Sequence, residues 1–214
     1  MIYDSIMRSK TGPGRTFTET ARREQIITCA IEVIAEVGYP QTTIRRIADR
    51  AGIAMSVVLY HFGTKDGLIE AVIASMYQAA LATVPPAIDR ARTQTDKLAA
   101  YIRSSVAYFD THRTQLAALA QLGTSYKPSG GKSFKDLGLT PELSKQLTDL
   151  DPSKILRSGQ KSGEFCYFPV DSTATALQGA VNAVVEKILR DPDFDADRYG
   201  EDLVKMFGRV VRNA

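Results

Sequence analysis

Residues 38–68 read GYPQTTIRRIADRAGIAMSVVLYHFGTKDGL, and the punctuation of this stretch decides the fold. Pro40 blocks continuation of any helix arriving from the N-terminal side. Thr42 is a good N-cap, and Ile44, Ile47, Ala48 and Ala51 form the apolar stripe of a short helix that Gly52 ends. After two or three residues a second short helix runs from about Met55 to Phe62, with Val57, Val58 and Phe62 as its stripe, before Gly63 and Thr64 break the chain again. Two short helices around a tight glycine turn, packed on a preceding helix, make a helix-turn-helix.

Working outward, Ile26, Ile27, Ala30, Ile31, Val33, Ile34 and Val37 recur at helical spacing, with Thr18 or Thr20 to cap the start and Gly38 to stop the end. On the other side a long helix begins near Asp66, carries Leu68, Ile69, Val72, Ile73, Met76 and Ala80, and is expected to end at Pro85 and Pro86. Helices are further expected over 96–109, 113–122, 153–162, 170–190 and 196–212, and the Gly- and Pro-rich stretch 124–152 reads as a loop holding one short helix at 141–150. The expected fold class is all-α, with about nine helices. It divides into a flexible basic arm (1–18), a helix-turn-helix DNA-binding domain (19–65) and a helical ligand-binding and dimerisation domain (66–214).

With 214 residues, 44% hydrophobic and 24% charged, the chain has the composition of an ordinary globular protein. It contains no run of about 18 uninterrupted apolar residues, and its first 15 residues lack the apolar segment of a signal peptide, so a cytoplasmic location without membrane contact is expected. Cys29 and Cys166 lie far apart without ligand spacing around them, so no metal site, disulfide or cofactor is expected. The formal charge of +3 falls entirely on residues 1–65, which hold nine Lys or Arg against six acids; the remainder is neutral. That places the electrostatic footing for a polyanion at the helix-turn-helix end.

To reach base edges, the second short helix must expose short or planar side chains near its N-terminus, while its surroundings offer hydroxyls, amides and cations to phosphates. Ala54, Met55, Ser56 and Tyr60 are expected to face the groove. Thr42, Thr43, His61 and Lys65 are placed for phosphate, as is Arg45 on the outer face of the first short helix. Helix N-termini at Thr43 and Met55 add partial positive charge.

Gly38-Tyr39, Thr42-Thr43-Ile44, Ile47-Ala48, Ala51-Gly52-Ile53, His61-Phe62 and Lys65 with Leu68 stand in an order and spacing that resemble the TetR (tetracycline-repressor-like) regulators. The resemblance covers about 48 residues, 25–72. It implies a homodimer on a palindromic operator, with a small-molecule effector controlling the regulator as a repressor. Two positions depart from the pattern: Ala54 stands where a Ser or Thr cap is usual, and Leu59 where a Tyr is usual. Leu59 is then expected either to meet a thymine methyl or to pack inward, leaving Tyr60 as the main aromatic contact.

The last two helices carry more apolar surface than one core needs. On 170–190, Leu177, Val181, Val184 and Ile188 form one stripe, and Ala176, Gly179, Ala180 and Ala183 a second face of small residues. On 196–212 Leu203, Val204, Phe207, Val210 and Val211 repeat the pattern. A second apolar face implies a partner, and Ala176, Ala180, Ala183, Phe207 and Val211 are the expected dimer contacts; the resemblance implies a four-helix bundle with a two-fold mate. Gln178 and Asn182 on the same helix, with Tyr101, Ser105 and Phe109 along one side of 96–109, are the expected ligand contacts. An enzyme is the main rival class. The two histidines, His61 and His112, sit in no nucleophile motif, and Gly130-Gly131-Lys132-Ser133 lacks the first glycine and preceding strand of a phosphate loop, so no catalysis is expected. A helical protein-interaction module is the other alternative, and it leaves the first 65 residues unexplained.

Overall fold

The computed structural model describes residues 17–127 and 140–212, and within them every regular element is helical. Ten α-helices follow in order: α1 (Phe17–Val37), α2 (Ile44–Ala51), α3 (Met55–Phe62), α4 (Lys65–Asp89), α5 (Gln94–Thr111), α6 (Arg113–Ser125), α7 (Pro141–Asp149), α8 (Ser153–Ser162), α9 (Val170–Arg190) and α10 (Ala196–Val211), with a 3₁₀ turn at Tyr39–Gln41 between α1 and α2. The count matches nine helices plus the short one expected inside the loop. The basic residues of the expected arm, Arg8, Lys10 and Arg15, and the Gly130 to Ser133 motif lie outside the described residues.

Local chemistry sets most boundaries. Thr43, Thr64, Thr93 and Thr140 each accept a backbone N–H three residues on, capping α2, α4, α5 and α7. The cap of α2 is therefore Thr43 and not Thr42, and α1 begins at Phe17, which places Thr18 and Thr20 inside it. Gly52 adopts φ +66° and ψ 36°, the left-handed conformation that lets its own N–H and that of Ile53 turn back onto the end of α2. At Gly67 the need is for space: a Cβ there would meet the Phe62 carbonyl oxygen at 2.3 Å, so α3 and the start of α4 touch backbone to side.

The long helix corrects one expectation, because Pro85 and Pro86 do not end it and α4 runs through both to Asp89. Proline removes two helical donors there, but Val84 is buried in a core and Ile88 packs against the same core, which holds the helical path. By length and composition α4 would also suit a membrane, yet Leu68, Ile69, Val72 and Ile73 are fully buried among neighbouring helices.

Two main cores result. The first joins Ile26, Ile34, Ile47, Val58 and the first half of α4, and it is completed by Ala118, Leu122 and Tyr126 from α6 and the residue just after it. The second joins Val84 with Leu98, Ile102, Leu156, Leu177, Leu203 and Phe207. A smaller cluster of Val106, Val184, Ile188 and Ala196 lies beside it. The Glu164 carboxylate accepts from the Gln94 and Thr95 amides at 2.8 Å, tying the α8–α9 connection to the start of α5.

Candidate nucleic-acid interface

Val58 is fully buried and Phe62 turns inward, which fixes the rotation of α3 and leaves Ala54, Met55, Ser56, Leu59 and Tyr60 exposed together. Tyr60 is 76% exposed, too open for a core aromatic. Leu59 is exposed as well, so it does not pack inward. Ala54 occupies the N-cap position without a side-chain hydrogen bond, so α3 starts uncapped.

The surroundings of this face are braced. Arg23 of α1 lies over the Phe62 ring at 4.2 Å and donates to the His61 carbonyl at 2.8 Å; Gln25 donates to the Ala51 carbonyl at the end of α2. Arg50 reaches back to Glu32 and Glu36 of α1. Sequence reading gave Arg23, Gln25 and Arg50 no role, and their helical positions alone could not reveal partners that come from other helices.

Thr42 is buried, and its hydroxyl donates to the Gly38 carbonyl at 2.8 Å, so its side chain is withdrawn from the surface where a phosphate would lie. Thr43 is exposed beside it. Arg45 is open to solvent, with Asp49 at 3.9 Å as an i,i+4 neighbour, and Arg46 is also exposed. Lys65 is half-buried, with its Nζ 4.0 Å from the Tyr39 ring centre and 3.5 Å from the Tyr39 carbonyl oxygen; burial pulls its pKa below the ordinary lysine value, against the opposing pull of Asp66. His61 is partly buried, its ring edge-on to Tyr60 at 5.2 Å.

Away from this face, a cavity of about 510 Å³ lies among α4, α5, α7, α9 and the connection into α8. Tyr101, Ser105, Phe109 and Gln178 line it, as expected together. Asn182 does not: it sits one turn further along α9, exposed and away from the cavity. Leu147, Leu150 and Asp151 complete the wall from a segment whose sequence gave no sign of the role.

The expected dimer contacts separate into two groups. Ala176 and Gly179 are exposed, and Ala180 and Ala183 partly so. Phe207 and Val211 are instead buried in the second core of the same chain, because α10 turns the Leu203, Phe207 and Val211 stripe onto α5 and α9. The apolar residues α10 leaves outside are Met206, 59% exposed, and Val210, 47% exposed.

A braced helix-turn-helix with a protruding, polar-to-apolar second helix defines a DNA-binding domain. Residues 26–72 match the model for the bacterial regulatory proteins of the tetR family, which gives this segment of the chain the DNA-binding domain of that family. Among its relatives, the HTH-type transcriptional regulator BetI 1 of Chromohalobacter salexigens is 44% identical over 52 residues, 24% of this chain and 26% of that protein. BetI of Stenotrophomonas maltophilia is 40% identical over 55 residues, 26% of this chain and 28% of that protein. The chain thus matches about a quarter of the length of these curated relatives. Among solved structures, FadR from Bacillus subtilis in complex with stearoyl-CoA superposes with a TM-score of 0.71 at 22% identity, covering 86% of this chain and 96% of that one. FadR from Bacillus halodurans gives 0.72 at 19% identity, covering 96% and 100%. At such identities the likeness establishes the fold alone.

Proposed function

We propose that this protein is a sequence-specific DNA-binding transcription regulator, a homodimer that reads a palindromic operator and, as a repressor, leaves it when a small molecule binds. The observation that carries the reading is the exposed face of α3, where Met55, Ser56, Leu59 and Tyr60 stand out from a domain braced by Arg23 and Gln25. Apolar and aromatic groups on a surface need a reason, and base edges and thymine methyls supply one. Phosphate contacts fall to Thr43, Arg45, His61 and Lys65, with the open amides at the start of α3. The reading assigns residues 19–65 to DNA and 66–214 to the effector and the two-fold mate, gives the protein no catalysis, and places it in the cytoplasm with its operator.

Dimerisation is assigned to α9 and α10 through Ala176, Gly179, Ala180 and Ala183 together with Met206 and Val210, which replace Phe207 and Val211 in the expected set. The effector is assigned to the cavity lined by Tyr101, Ser105, Phe109 and Gln178. Stearoyl-CoA in the Bacillus subtilis FadR structure supports a small-molecule effector as a class. The connecting element is α4, which begins at Lys65 beside the DNA face and lines the cavity with Ala80 and Val84.

Selection of bound duplexes from a random pool, followed by titration of the winner at several salt concentrations, tests the reading. A palindrome with half-sites about 34 Å apart and a log-log salt slope of order several units negative are expected. Recovery of no enriched sequence, or a slope near zero, would overturn it.

A further inference from the structure

Two hydroxyls on the cavity wall are left over by the protein. Tyr101 and Ser105 lie one turn apart on α5, each only 7% exposed, and neither hydroxyl is hydrogen-bonded to a described residue. The neighbouring phenol behaves differently: Tyr108 donates to the Met76 carbonyl at 2.8 Å. No buried side-chain oxygen or nitrogen among the described residues lacks a partner, so these two oxygens open into the cavity, where an occupant with polar atoms of its own can reach them.

The charge of the wall narrows that occupant. Among the described lining residues Asp151 is the one carboxylic acid, and none is Lys or Arg. Lys145 on α7 and Lys154 on α8 are exposed and take no part in the lining. The Ser153 amide donates to one Asp151 oxygen at 2.9 Å, which orients the carboxylate at the start of α8. Its field reaches the hydroxyl pair: Tyr101 has its pKa pushed up to about 12, by burial first and by the Asp151 charge second. The rings of Tyr101, Tyr108 and Phe109 add π faces, which also favour positive charge. Ala80, Val84 and Leu147 leave room for an apolar body.

We infer that the effector is an amphiphilic organic cation, whose ammonium N–H groups donate to the Tyr101 and Ser105 oxygens and pair with Asp151 while its hydrocarbon part lies against Val84, Phe109 and Leu147. An acid of the same shape would bring a second negative charge to Asp151 with no cation among the described lining residues to balance it. The inference rests on the reading that this cavity is the effector site.

Calorimetric titration of the full chain with decylammonium, decanol and decanoate, which share one chain and differ in charge, separates the two claims. Decylammonium is expected to bind tightest and decanoate weakest. Asp151→Asn keeps an acceptor oxygen for the Ser153 amide and should weaken decylammonium about tenfold, a loss of ~1.4 kcal/mol, with decanol unchanged. Tyr101→Phe should weaken decylammonium as well, without reordering the three. Decanoate binding as tightly as decylammonium, or an unchanged preference in Asp151→Asn, overturns the cationic assignment and leaves the cavity as a ligand site. Binding by none of the three overturns both.

Discussion

The helix-turn-helix region and the cavity region handle their polar groups in opposite ways. Around α2 and α3 the Thr42 hydroxyl, the Gln25 amide and the Arg23 guanidinium each close on a backbone carbonyl. Around α5 the Tyr101 and Ser105 hydroxyls are left open on a buried wall. The first arrangement lowers the freedom of a surface that must dock as one rigid piece; the second keeps binding capacity in reserve.

Gly67→Ala should break the braced region most severely. Its new methyl would be driven into the Phe62 carbonyl, which is backbone and has no rotamer to yield, and a stability loss of about 3 kcal/mol in urea denaturation is expected. Tyr60→Ala attacks the surface that the bracing supports. Operator affinity should fall by roughly 2 kcal/mol in a fluorescence anisotropy titration, while stability changes by less than about 0.5 kcal/mol. An equal loss in both measurements would make Tyr60 a structural residue and return α3 to an ordinary surface helix.

The sharpest contrast comes from removing one hydroxyl in each region. Thr42→Val keeps the shape and loses the bond to Gly38, so about 1 kcal/mol of stability should go. Ser105→Ala removes a hydroxyl that bonds no described residue and improves helix propensity; thermal unfolding should show no loss and a gain of up to about 0.5 kcal/mol. A substantial loss for Ser105→Ala would erase the distinction between the regions.

A separate contrast is expected at alkaline pH. Burial pushes Tyr101 and Tyr108 up to about 12 from an ordinary 10.0. A phenol whose pKa is raised by folding lends stability that is fully present below pH 10 and is lost as pH rises through about 12. An ultraviolet titration should therefore show late phenolate formation that Tyr101→Phe reduces, with unfolding becoming easier across the same window. Loss of stability complete before pH 10 would contradict it.

Much of the first region was legible because its signals are local. Gly52, Gly63 and Thr64 bracket α3, and the Val58 and Phe62 spacing alone fixes which side faces out. The errors came where two local readings were equally good or where packing overruled one. Adjacent Thr42 and Thr43 are both fair caps in sequence; burial of the first against Gly38 selects the second. Pro85 and Pro86 are helix stops by local rule, but the second core carries α4 past them. Along α10 Phe207 and Val211 repeat apolar residues at helical spacing, and that spacing carries no mark of whether another helix of the chain or another molecule covers them. The cavity was read from α5 and α9, while Leu147, Leu150 and Asp151 arrive from a stretch with weak periodicity.

The first core is also not contiguous in sequence. The segment shared with known regulators is 26–72, yet its apolar interior is closed by Met76 and by Ala118, Leu122 and Tyr126, and the Tyr126 ring stands edge-on to Tyr39 at 5.1 Å. This limits how portable the DNA-reading part is. A chimera that grafts only the shared segment onto another regulator would leave Ile34 and its neighbours facing side chains selected for a different companion. The graft holds its shape only if the face of α6 travels with it. Specificity for an operator and the packing that supports it are therefore inherited as a pair drawn from two distant stretches of one chain.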